Sequence, residues 1–511
     1  MTIQKITQLR KDGFLDEAYS ECFAMYNMEP GNRFYRVGLF KCLKALMEEA
    51  ASECDYHRVA SLLHEMQFLK LEEIGEEHIA NRICWGLLML FRQLKQNPEA
   101  NIEAATLIFT ELKQLRFQTD NPIYVKFVEA FLLVRGLQNS PWMGFCDFMD
   151  WWGFGNFTPE NFERYVTRNG QSTPSVAERA YNQYFKTLRI ELMRRTSPAG
   201  RVEKHIGRLD NLIKEQRAYS YTLYHKGILR YHCGNREDAV STLKRAALSR
   251  MNDNKMWSAL AMAVEDDEMA LNCLCQALQC PAAPPFTVDL HRRASDLMFK
   301  RGDFAYARRE LEIMMDIYSH QGWTIGPEFY NATHSDWFIN ACPENLPSDY
   351  YRHRADEARR FVLESHPETT VLITRIIRPK RICSFITPDM KRGYFIINQN
   401  MRVVLEQDHL IKLRIISDVY EDLPTKVMGV RDDDSGNKYA GLFFKEFEGP
   451  IRIAPTRKYA LLEDVFFDGR ILPPQLVDGT HVWGRAHIYF NLKRNDWNWR
   501  ASTLFFDHSL N

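Results

Sequence analysis

The chain has 511 residues, 45% apolar and 26% charged, and its 66 lysines plus arginines balance 66 aspartates plus glutamates. That balance excludes a global field that would draw the protein onto nucleic acid or a membrane, so any such partner must be met by a local patch. The apolar share is that of a globular protein with a sizeable core, and no window offers the roughly 18 uncharged apolar residues that a membrane span needs.

The opening MTIQKITQLRKDGF lacks the apolar stretch of a signal peptide. The eleven cysteines include no C-x-x-C pair, and the cluster Cys273, Cys275 and Cys280 does not have zinc-site spacing. Buried thiols in a reducing, cytoplasmic setting are expected. No metal or other cofactor is expected.

From residue 1 to about 365 the chain reads as successive helices. Runs such as Glu103 to Leu115 and Val176 to Met193 space apolar residues three and four apart. Residues 1–170 form a repeat-like region with an aromatic-rich insert. There Trp142, Phe145, Phe148 and Trp152 fall on one helix face, Gly153 stops the helix, and Thr158-Pro159 starts another. Such a face reads as core before it reads as a ligand surface.

Residues 171–365 carry the clearer repeats. Leu223, Gly227, Tyr231, Gly234, Ala239, Leu243 and Ala246 look like a tetratricopeptide unit. Gly302, Phe304, Ala307, Leu311 and Met314 look like another, and Ala239 to Ala307 spans 68 residues, twice the roughly 34-residue period of such repeats. The unit between them, with Trp257, Ala261, Ala270, Leu274 and Ala277, is out of step, which a short turn at Glu265 to Glu268 would explain. Gly13, Leu15, Ala18, Cys22 and Met25 repeat the pattern at the start of the chain. An α-solenoid of tetratricopeptide-like hairpins is expected, its face holding an unidentified protein partner.

After residue 367 the pattern becomes β. Glu368 to Thr374, Tyr394 to Asn398, Met401 to Leu405, Leu410 to Ser417, Lys426 to Val430, Ile451 to Ala454, Ala460 to Phe467, His481 to Asn491 and Trp497 to Phe506 read as strands. So many short strands predict two small OB-like barrels, 370–445 and 446–508. The first contains Gly393-Tyr-Phe-Ile-Ile397 after a basic stretch. The second contains Tyr459 to Phe466 and a turn at Asp478-Gly479, and each resembles a cold-shock or S1-like module.

The whole chain resembles the accessory proteins of bacterial conflict systems of the TOTE type, which join helical repeats to an S1/cold-shock-like module. The resemblance is carried by Trp151-Trp152 with Phe157-Thr-Pro-Glu-Asn-Phe162, by Pro174-Ser-Val-Ala-Glu-Arg-Ala-Tyr181, and by Glu463-Asp-Val-Phe466 through Trp497-Asn-Trp499. It implies a nucleic-acid-associated component of prokaryotic defence.

Single-strand binding needs rings to stack on and cations for phosphates. In the first barrel Arg375, Arg378, Lys380, Arg381, Lys391 and Arg392 stand against one acid, Asp389, with Tyr394, Phe395 and Phe385 nearby. Alternation puts only one of Tyr394 and Phe395 on the open face. The second barrel offers a weaker set, Arg452, Arg457, Lys458, Tyr459, Lys493, Arg494 and Trp497, with Trp499 as core.

Phosphate-loop, dinucleotide, nucleophile-elbow and H-E-x-x-H motifs are all missing. Glu463-Asp464 could bind a metal, but alternation along the strand sends the two carboxylates to opposite faces, and Asp432-Asp433-Asp434-Ser-Gly436 reads as a solvated hairpin. The expectation is a non-catalytic adaptor that binds a protein partner and single-stranded RNA or DNA. The alternative is a pure protein-interaction scaffold whose β region is structural.

Overall fold

The computed structural model describes every residue except 1, 70–78, 117–121, 138–139, 168, 216–218, 344–345, 348, 365, 398–402, 418, 420, 422–423, 434–438, 492–493 and 508–511. Lys493, the hairpin tip at 434–437 and the start of the run Met401 to Leu405 thus lie outside the described residues. The chain forms two compact units, Met1–Ala239 and Val240–Asn511.

The first unit is helical apart from one short antiparallel pair, Tyr165–Val166 with Ser172–Thr173. Its helices begin where the sequence supplies caps. Asn32 Oδ1 accepts from the Phe34 N–H at 3.0 Å, Asp55 from Arg58 at 2.9 Å, and Ser175 Oγ from Glu178 at 3.1 Å. Asn97 caps a helix that carries Pro98 at its first position, where a missing N–H costs nothing. The aromatic insert is core. The helix Phe145–Trp152 buries Phe145, Phe148 and Trp152, the Phe148 and Phe131 rings lie 4.2 Å apart, and the Trp152 indole donates to the Tyr124 carbonyl at 3.1 Å. Gly153, at φ +84°, ends this helix. The segment after Thr158 is a single 3-10 turn, Pro159–Phe162, and not the helix expected.

Three helix-to-helix turns share one construction. Gly13, Gly234 and Gly302 adopt φ of +88°, +80° and +81°, a left-handed conformation that favours glycine. The residue after each glycine donates to a carbonyl five residues back: Phe14 to Leu9 at 3.0 Å, Asn235 to Arg230 at 3.1 Å, and Asp303 to Met298 at 2.9 Å. This is the Schellman bond that satisfies a helix's last carbonyls. Ala18, Ala239 and Ala307 each lie five residues beyond their glycine, and all are fully buried. The out-of-step unit is built differently. Its helices Asn254–Ala263 and Asp267–Leu278 are joined without glycine, and Asp266 caps the second by accepting from Glu268 and Met269. Within the second unit that hairpin packs on Val288–Lys300, which pairs with Phe304–Gln321, and Tyr350–Glu364 packs back on Asp267–Leu278.

From Glu368 the chain is β. Among the described residues one five-stranded sheet contains β1 (Glu368–Ile377), β2 (Ile382–Ile386), β3 (Arg392–Ile396), β4 (Leu410–Ile415) and β5 (Val427–Asp432), in the order β3-β2-β1-β4-β5. β1 pairs with β4 along residues 368–372 and with β2 along 372–377. A parallel bridge joins Tyr394 to Pro424, with Thr425 N–H donating to the Tyr394 carbonyl at 2.7 Å.

A six-stranded sheet contains β6 (Phe444–Pro450), β7 (Arg452–Ile453), β8 (Tyr459–Leu462), β9 (Val465–Asp468), β10 (His481–Asn491) and β11 (Asp496–Phe506), in the order β6-β10-β11-β9-β8-β7. Its two edge strands are consecutive in sequence, separated by the buried Ile451 alone, and β9 runs parallel to β11. Ala460 to Phe467, read as one strand, is thus a hairpin. Glu463 and Asp464 form its turn, with Glu463 at φ +50° and Asp464 paired to Lys445 at 2.5 Å. The sheets meet in an apolar seam of Leu372, Ile386, Phe443, Phe444 and Ile488.

Candidate nucleic-acid interface

Register decides which predicted residues are available. β2 sends Cys383 and Phe385 inward, and β3 sends Phe395 inward, onto Val371, Ile373, Ile411 and Leu413. Phe385 and Phe395 are each 1% exposed. A ring with no accessible face cannot stack a base, so both leave the set of candidate contacts and become core. The other face of the same strands carries Ser384 and Tyr394, directly opposite each other.

The cations divide by partner. Arg375, Arg378, Lys380 and Arg381 are exposed, and none of them meets a carboxylate among the described residues. Arg378 to Arg381 form the turn between β1 and β2: Arg378–Lys380 is one 3-10 turn, and Arg381 stands at φ +52°. Concentrated charge on a tight turn presents three head groups to solvent. Lys391 is instead held by Asp389 at 2.7 Å, and this contact, with the Thr387 hydroxyl, holds the Asp389 carboxyl below its ordinary range. Arg392 pairs with Glu421 and lies 3.7 Å over the Phe490 ring.

In the second sheet Arg457 is committed internally, donating to the carbonyls of Leu476 and Pro473 at 2.9 Å each. It holds the turn before β8 and is not a free phosphate contact. Arg470 and Arg500 are tied to Asp468, at 2.8 and 2.6 Å. The Arg470 hydrogen bond is the main cause of the depressed Asp468 pKa. Lys458 and Arg494 are exposed. Trp497, expected as an open ring, is half-buried in the seam and meets Phe490 edge-on at 5.1 Å. Trp499 packs on the seam and on the second core, as core.

Sequence reasoning found Tyr459 but missed the line of rings it begins. Tyr459, 44% exposed, stacks on Phe466 at 6.2 Å, and Phe466 lies 6.4 Å from Tyr489. Tyr489 and Phe490 then line a pocket of about 320 Å³ with Arg375, Ser384, Arg392 and Tyr394. Outward alternation along β8 and β9 was the available signal for Phe466. Tyr489 and Phe490 sit inside a long apolar strand whose outer face cannot be told from sequence.

In the helical part of the second unit, a pocket of about 780 Å³ opens between Val288–Lys300, Phe304–Gln321 and the helices after them. Phe299, Leu311, Tyr318, Phe329 and Trp337 line it. Among the described residues no cluster could hold a metal ion, and no helix is long and apolar enough to cross a membrane.

In class, this is a helix-rich protein with C-terminal β-sheets. Residues 220–358 match a family described as "Domain of unknown function (DUF7017)", which spans the helical hairpins and that larger pocket but not the β-sheets. No curated protein matches. A crystal structure of the yeast Tom70 is similar over 71% of this chain and 67% of that chain, at 12% identity and a TM-score of 0.20. At that score the likeness supports no statement about fold or function.

Proposed function

We propose that the protein is a non-catalytic adaptor whose helical hairpins hold a protein partner and whose two β modules bind single-stranded RNA or DNA. The observation that carries this reading is the row of exposed cations Arg375, Arg378, Lys380 and Arg381, which meet no carboxylate among the described residues. Connectivity supports reading each sheet as a small OB-type barrel. A long first strand pairs with the second strand along one half and the fourth along the other. The third and fifth then run parallel to close the ring. β1 divides its pairing in this way, and the isolated parallel bridge Tyr394–Pro424 joins the third strand to the segment that leads into the fifth. In the second sheet β6 and β7 act as the two halves of one strand, and β9 pairs parallel with β11.

OB folds bind oligonucleotides on the face of strands two and three and on the loops between strands one and two and between four and five. Arg378 to Arg381 and Lys458 lie on loops of the first kind, Arg494 beside one of the second, and Tyr394, Tyr459 and Phe466 on the strand faces. The larger pocket, with exposed Trp323, Tyr330 and Ile339 close to it in sequence, supports a protein partner on the hairpins. The resemblance to conflict-system accessory proteins is the ground for placing such an adaptor in prokaryotic defence, in the cytoplasm.

The test is binding of the full chain to a labelled single-stranded RNA and a matching DNA, before and after reversal of Arg378, Lys380 and Arg381 to glutamate. Loss of binding on reversal, with binding by the unaltered chain, is expected. Unchanged binding overturns the assignment of the site, and no binding by the unaltered chain at low salt leaves a pure protein-interaction scaffold.

A further inference from the structure

The pocket of about 320 Å³ lies where the two β modules meet. Its floor is one cross-strand row: Arg375 on β1 faces Ser384 on β2, and Ser384 faces Tyr394 on β3. Arg375 reaches this row because of a bulge. Val371 and Ile373 point into the core, and strict alternation would send Arg375 after them. The register of β1 against β2 shifts between Ile373 and Arg375, leaving Thr374 as the extra residue. Ile376 then takes the core position, and Arg375 turns outward. Bulges re-aim side chains in this way beside functional sites.

The wall opposite the row comes from the second module. Tyr489 and Phe490 stand there, and the Arg392 guanidinium covers the Phe490 face. Tyr489 also ends the line of rings Tyr459–Phe466–Tyr489, so a strand laid along those rings is led to the pocket mouth. Glu421 also lines the pocket and holds Arg392, but three of the other groups are uncommitted. The hydroxyls of Thr374 and Ser384 and the guanidinium of Arg375 make no hydrogen bond or ion pair among the described residues. The volume is at the lower end of the roughly 300 to 1,000 Å³ typical of small-molecule sites.

We propose that this pocket is a single-nucleotide subsite, taking one unstacked base against Tyr394 and Tyr489, with Ser384 and Thr374 on its edge and Arg375 on its phosphate. The inference rests on the single-strand reading above and adds that both modules build the grip. Aromatic rings supply sequence-tolerant stacking for any base, and hydroxyls serve as donor or acceptor to its edge.

The experiment uses the full chain with two probes: a fluorescein-labelled twelve-nucleotide oligouridylate, and uridine 5′-monophosphate alone, followed by equilibrium dialysis. Three variants are compared with the unaltered chain: Tyr489→Leu, Arg375→Gln, and the triple reversal R378E/K380E/R381E. Arg375 is exposed, so its substitution leaves folding intact even where Tyr489→Leu does not. The expected result is that the mononucleotide binds the unaltered chain and the triple reversal alike. Tyr489→Leu and Arg375→Gln should each weaken mononucleotide binding about tenfold or more. If the oligonucleotide binds but the mononucleotide does not, or if neither pocket variant changes mononucleotide binding, the subsite is overturned and the strand-binding reading survives. If the mononucleotide binds through the pocket and the oligonucleotide does not bind, the subsite stands and the strand-binding reading falls. Failure of both probes to bind overturns both.

Discussion

The two β modules share a connectivity and divide its chemistry. The first pairs Lys391, Arg392, Lys412, Arg414 and Arg431 with carboxylates but leaves Arg375, Arg378, Lys380 and Arg381 with none among the described residues, while two of its rings, Phe385 and Phe395, are sealed in the core. The second keeps Lys458 and Arg494 exposed but ties Arg457, Arg470 and Arg500 to carbonyls and to Asp468, while Tyr459, Phe466 and Tyr489 form a line of rings. On the proposed reading, register and pairing specialise one module for phosphates and the other for bases, and a single strand would draw on both.

The comparison can be broken most directly by charge. Reversing Arg378, Lys380 and Arg381 to glutamate should weaken single-strand binding about a hundredfold at low salt and make the log–log salt slope shallower by about 2, at ~0.7 per phosphate contact. A comparable loss from reversing Arg470 would contradict the division. Next in size is a ring. Phe466→Ala should cost about tenfold in affinity with the salt slope unchanged, as stacking is worth ~1–3 kcal/mol per base; fluorescence anisotropy at several salt concentrations separates the two behaviours.

Arg457→Ala sharpens the distinction between a structural and a binding cation. Two hydrogen bonds to carbonyls are lost, so thermal unfolding should show a loss of about 1 kcal/mol, with the salt slope retained. The last prediction concerns acid. His487 is 4% exposed, and its Nδ1 lies 3.3 Å from Asp408 of the first module. Burial, with Arg500 adding to it, pushes the ring down to about 4. Between its ordinary value and about 4 the unfolded chain takes a proton that the folded chain refuses. His487 therefore favours folding fully only above its ordinary value and costs stability as pH falls. Relative to the unaltered chain, His487→Phe should gain up to about 1.4 kcal/mol per pH unit over that window, read as the difference between two melting curves at each pH.

How much of this was legible in the sequence depended on the element. His481 to Asn491 was read to the residue, because a long apolar run follows an Asp-Gly turn. The glycine turns at Gly13, Gly234 and Gly302 were equally visible, since few other residues fit their backbone. The strands Ile382–Ile386 and Phe444–Pro450 were not foreseen. The first is short and follows a basic turn, and the second mixes glutamate, glycine and proline among its phenylalanines. At the candidate site the cations were found because charge is a local signal. The rings were largely misjudged. Whether Phe385 or Tyr394 faces out is set by pairing with other strands, and the outward turn of Arg375 depends on a bulge that no local pattern reveals. Tyr489 and Phe490 went unrecognised for the same reason, whereas alternation along β8 and β9 did mark Phe466 as outward.

The central claim is that the β modules together bind a single strand, and a salt titration of the full chain with a labelled single-stranded RNA tests it most directly. The account predicts binding with a log–log slope of roughly −3, from four or five phosphate contacts, falling to roughly −1 in the R378E/K380E/R381E variant. No binding at low salt, or a slope that the reversal leaves unchanged, would contradict it.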